Sequence, residues 1–145
     1  MADIEGRYEE FAQALREGGF GIPVDPAAWP AELVAAHVIM RNDELIEAAR
    51  AVRAGHQPAF DVEATKDGDA LRELLIRTGS LSELADEVER SASDLQAAYD
   101  LLGEDQRGTP VPIGSQDAEP IGPLIEKSAG AHLSEHLDQL LELRD

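Results

Sequence analysis

The sequence predicts an all-α fold: a four-helix bundle with one extra short helix and long connections. Three observations predict it. Apolar residues recur at helical spacing through most of the 145 residues. Glycine and proline fall where such helices should start and stop. No run alternates apolar and polar residues as a half-buried strand would. The length suits one hydrophobic core, so a single domain over 1–145 is expected.

Residues 3–17 read as the first helix, with Ile4, Tyr8, Phe11, Ala12 and Leu15 on one face and Gly18-Gly19 as its stop. Phe20 to Trp29 carries Gly21, Pro23 and Pro26 and reads as a connector. Pro30 suits the first turn of a second helix, which should run to Ala54, where Gly55 ends it. Residues 56–67 read as a polar connector with Phe60 as an anchor, and a short helix follows over about 68–77. Ser80-Leu81-Ser82-Glu83 has the form of a capping box opening a helix over 81–102. That helix should bury Leu84, Val88, Leu95, Tyr99 and Leu102. Residues 103–118, with three glycines and two prolines, read as a long loop. Pro120 and Pro123 then open a last helix reaching Arg144. Long connections suit crossovers better than tight hairpins.

The charge excludes several functions. Lys and Arg number 12 against 30 Asp and Glu, for a formal charge of −18. Such a surface repels phosphate backbones and anionic bilayers, so neither nucleic acid nor membrane is an expected partner. The opening Met1-Ala2-Asp3-Ile4-Glu5 has no basic or apolar signal region, and no stretch approaches the length of an apolar membrane span. There is no cysteine. A disulfide, a thiol nucleophile and a cysteine-ligated zinc are excluded, and the cytoplasm is the expected compartment. Any thiol chemistry would need a thiol from outside the chain.

The histidines carry the functional expectation. His132 and His136 stand four residues apart, which puts both imidazoles on one helix face. The stripe Leu124, Ser128, His132, His136, Leu140 is apolar at its ends and polar in its middle, as a buried metal site in a bundle should be. On the second helix, His37 has Leu33 four residues before it and Met40 three after, so its ring should point inward. Three nitrogen ligands would hold a divalent metal and leave a position open. Zinc and nickel lead the expectation; copper and iron also suit imidazoles. The residues after His132 do not form the His-Glu-x-x-His motif of zinc proteases. Asp43 and Glu135 are carboxylates that could orient the imidazoles. His56 reads as an exposed loop residue and Trp29 as a packing anchor.

Three segments resemble the DinB-like superfamily, which includes the N-terminal domain of mycothiol-dependent maleylpyruvate isomerase and related bacillithiol transferases. They are Leu33-Val34-Ala35-Ala36-His37-Val38-Ile39-Met40-Arg41-Asn42-Asp43, then Gly79-Ser80-Leu81-Ser82-Glu83-Leu84, then His132-x-x-x-His136-x-x-Gln139-Leu140. The resemblance implies a bundle with a divalent metal near one end, held by His37, His132 and His136. It also implies a low-molecular-weight thiol, mycothiol foremost, as the nucleophile. The isomerase has a second domain that helps bind its substrate, and this chain ends after the last bundle helix. The expectation is therefore S-transfer to a small-molecule electrophile rather than that isomerisation. Two alternatives are a non-catalytic or vestigial metal-binding bundle and a metal-dependent hydrolase using bound water. A homodimer is expected from the resemblance and because the first helix has few obvious partners.

Overall fold

The computed structural model describes residues 3–114 and 116–144; Met1, Ala2, Ser115 and Asp145 lie outside the described residues. A 3-10 turn over Glu5–Tyr8 leads into α1, Glu9–Glu17. Next come α2, Ala31–Ala54, and α3, Gly68–Thr78. They are followed by α4, Leu81–Asp100, and the single turn α5, Glu104–Arg107. The last helical stretch has three parts: α6 (Ile121–Lys127), a π-helical turn (Ser128–His132) and α7 (Leu133–Glu142). The bundle is formed by α1, α2, α4 and the α6–α7 stretch, with α3 as the extra short helix.

The helix ends obey the local signals of the sequence. Pro30 takes extended backbone just before α2, and Gly55 closes that helix at φ 77°, a left-handed geometry that costs glycine little. Ser80 caps α4 by accepting from the Glu83 amide at 3.2 Å. The reciprocal half of the box differs: the Glu83 carboxylate meets the Ser80 hydroxyl at 3.3 Å instead of the backbone. The core is continuous, and Phe11, Leu15, Leu45, Leu84, Leu95, Leu124 and Leu140 are all fully buried in it. Inside it runs a polar chain. The Tyr8 hydroxyl donates to Asn42 Oδ1 at 2.9 Å, and Asn42 Nδ2 donates to Ser91 Oγ at 3.0 Å, so these buried groups are satisfied.

Three expectations change. The apolar face of α1 is covered by α4 and α7 of the same chain, which removes the unpartnered first helix as an argument for a dimer. The loop predicted over 103–118 holds α5 and an antiparallel hairpin of β1, Pro110–Ile113, and β2, Gln116–Pro120. The hairpin pairs Val111 with Glu119 and carries an irregularity before Ile113. It is tied to the 56–67 connector, where the Phe60 amide donates to the Pro112 carbonyl at 3.1 Å. The last helix is not uniformly α-helical. From Leu124 to Leu140 an α-helix would turn roughly 160° beyond whole turns. The wider π turn absorbs roughly one residue's rotation, so Leu124, Ser128 and Leu140 all stay buried.

Candidate metal centre

The α2 segment from Ala31 packs along the last helical stretch, and this brings His37 to the histidine pair. The His37 and His136 rings meet edge to face with centres 4.8 Å apart. On its other side His37 meets Trp29, at 5.2 Å between ring centres. His132, on the last residue of the π turn, lines the same pocket. The pocket measures about 390 Å³, and Arg41, Phe60, Lys66, Glu119, Lys127 and Glu135 also face it. A larger groove of about 490 Å³ lies between the C-terminal halves of α2 and α4. Alanines, two arginines and Asp94 dominate its walls, and no imidazole faces it.

Two of the imidazoles have their orientation fixed. Nδ1 of His37 lies 2.7 Å from the Thr65 carbonyl oxygen, which can only accept, so Nδ1 carries the proton. Thr65 is fully buried in the 3-10 turn Ala64–Lys66, and its hydroxyl donates to the Val62 carbonyl at 2.7 Å. Asp61 caps that turn by accepting from the Ala64 amide at 3.1 Å. Nδ1 of His136 lies 2.7 Å from Gln139 Oε1, one helical turn on. In both rings Nε2 is left with its lone pair. This is the arrangement that orients metal-binding histidines.

Electrostatics keep the rings neutral. Burial pushes the His37 imidazole down to about 4, more than the Thr65 carbonyl raises it. His132 and His136 are also lowered, chiefly by burial, with Arg41 adding to both. Neutral imidazole is the ligand form. Two imidazoles on one ion, with each nitrogen about 2.1 Å from it, hold ring centres about 5 Å apart, which the His37–His136 pair matches. The donors thus fit a divalent ion in kind. Among the described residues, however, no three His, Asp or Glu side chains stand together in coordinating geometry. The third ring, His132, makes no ring contact with the other two among those residues.

Of the remaining sequence candidates, Glu135 faces the pocket and Asp43 does not: Asp43 pairs with Arg90 at 3.3 Å. Trp29 packs on His37, Phe60 is buried as an anchor, and His56 is exposed. Arg41, Thr65, Lys66, Glu119 and Lys127 were not foreseen. Arg41 had a signal, since it stands one turn after His37 on the same helix. The others arrive through the connector, the hairpin and the end of α6.

No protein-family model and no curated protein matches this sequence. A solved structure does: the crystal structure of the mycothiol-dependent maleylpyruvate isomerase superposes with a TM-score of 0.70 at 16% identity. The match covers 97% of this chain and 57% of that one, so the chain spans little more than half the length of its structural neighbour. The likeness shows a DinB-like bundle fold. Among the described residues no helix is long and apolar enough to cross a membrane.

Proposed function

We propose that this DinB-like bundle is a metal-dependent thiol S-transferase, joining a low-molecular-weight thiol such as mycothiol to a small electrophile. The observation that carries the reading is the convergence of His37, His132 and His136 on one pocket. Two of these imidazoles have Nδ1 tied to an oxygen acceptor. The fold of a mycothiol-dependent enzyme supports the thiol, as does a chain that has no cysteine of its own.

A divalent ion, zinc or nickel first, would lower the pKa of a thiol placed beside it and supply a thiolate near neutral pH. The chain's residues do the rest. Thr65 and Gln139 hold two rings in register, and Trp29 packs against His37. Phe60, Val62, Ile113 and Leu124 form the apolar part of a pocket wall that is otherwise charged. In the transfer the sulfur electron pair forms a bond to the electrophilic carbon. The thiol proton passes to solvent, and the displaced group leaves with its bonding pair.

The test is conjugation of 1-chloro-2,4-dinitrobenzene by protein purified without an affinity tag, with its metal content measured first. Turnover should need both metal and added mycothiol, and His37→Ala should remove it while helical content stays intact. Turnover with metal but indifferent to thiol would move the reading to a hydrolase using bound water. The second reading is a non-catalytic metal-binding bundle on the same three histidines. Full metal loading with no turnover on any thiol or ester would select it.

A further inference from the structure

Arg41 is a cation of the pocket that makes no ion pair among the described residues, Glu119 acting on it only from a distance. It is half-buried, with its guanidinium 5.0 Å from the centre of the Phe60 ring and Nε donating to Ser128 Oγ at 2.7 Å. Among the described residues no carboxylate lies within ion-pair distance of it, although acids outnumber bases 30 to 12. Arg16, Arg50, Arg72, Arg90 and Arg144 each have one; Arg107, half-buried like Arg41, has none among the described residues but does not line this pocket. Among the same residues its two terminal amino groups have no hydrogen-bond partner. Burial lowers its pKa, more than Tyr8 and Glu119 raise it. Those amino groups are not sealed in the core but open to the pocket, where an incoming anion reaches a charge already partly stripped of water.

The surroundings agree. Lys66 and Lys127 line the same pocket, a concentration of positive charge that stands out on a chain of −18. Of the two carboxylates there, Glu119 is paired with Lys127 at 3.7 Å. Ser128 and Phe60 fix the guanidinium plane and use its Nε edge. The Nη1 and Nη2 edge remains, and two parallel N–H donors match the two oxygens of a carboxylate.

We infer that Arg41 anchors a carboxylate carried by the small-molecule substrate, whose apolar body lies against Phe60, Val62, Ile113 and Leu124. This rests on the proposed function only in taking the pocket as the substrate site.

Metal-free protein titrated with benzoate, and separately with uncharged benzamide, tests it by NMR of the arginine Nε–Hε signals. The Arg41 signal should move saturably with benzoate and stay still with benzamide. Arg41→Gln should weaken benzoate binding about tenfold or more, the worth of a charge-assisted pair, and Arg41→Lys should fall between. Equal binding of benzamide, or benzoate binding unchanged in Arg41→Gln, would overturn the assignment. If circular dichroism finds Arg41→Gln unfolded, the wild-type signal decides alone: no movement with benzoate refutes it. Because no metal is present, failure here is separate from failure of the transferase assay.

Discussion

The His37 and His136 rings meet edge to face, 4.8 Å between centres, although one belongs to the second helix and the other to the last. No contact near in sequence joins the two rings. Their meeting depends on the packing of α2 against α7 and on the Thr65 carbonyl and Gln139 amide behind each ring.

The metal-centre reading predicts stabilisation by the ion, since a ligand bound only by the native state adds RT ln(1 + [L]/Kd). Metal-loaded protein should melt higher than the same protein treated with chelator, and His136→Ala should abolish the difference. Identical midpoints in protein shown to be loaded would contradict the reading.

Gln139 should act as a positioning residue. With Leu in its place, Nδ1 of His136 loses its acceptor and the ring its orientation. Metal affinity should fall roughly ten- to a hundredfold while the metal-free melting temperature barely changes. Competition with a fluorescent chelator measures the first and a thermal melt the second. Unaltered affinity would remove Gln139 from the site.

Stability should also report His37. Its folded pKa of about 4 lies below the unfolded value of 6.5, so the unfolded chain takes up the proton first. Stability from this residue is complete above about 6.5, declines as pH falls towards 4, and levels off below that. The full loss is about 3 kcal/mol. Urea denaturation of metal-free wild type and His37→Gln should therefore find their stability difference shifting against the wild type as pH falls through this window. A difference constant with pH would mean that the imidazole is not buried as neutral.

Gly122 offers a test of packing away from the histidines. A β-carbon there would lie 2.9 Å from Arg107 Cβ and 3.2 Å from the Arg107 carbonyl oxygen. Gly122→Ala should destabilise by about 1–3 kcal/mol, although alanine is the better helix former. A gain in chemical-denaturation midpoint would mean that α5 yields easily.

The helices of the bundle were legible because their punctuation is local. Pro30, Gly55 and Ser80 each act on neighbours within a turn, and the inward faces of α2 and α4 repeat at helical spacing. The inward placement of His37 followed from its apolar neighbours. The hairpin was not legible. Its strands are short, and β1 carries Pro110 and Pro112, residues whose missing N–H argues against a strand in any sequence reading. Thr65 was hidden for another reason: its carbonyl serves His37, and any residue type has a carbonyl. Arg41 could be seen on the histidine face of α2, but its lack of an ion pair among the described residues is a fact of three dimensions.

The π turn gives the last helix a particular evolutionary reach. It holds one residue more than the α turn it replaces. Loss of a single codon within Ser128-Ala129-Gly130-Ala131 would let the helix close as ordinary α-helix, with Leu124 and Leu140 still on the core side. Ser128 would no longer be presented to Arg41 as it is now, nor His132 to the pocket. A lineage could thus gain or lose the chemistry of this end of the bundle by one insertion or deletion while the scaffold carried on unchanged.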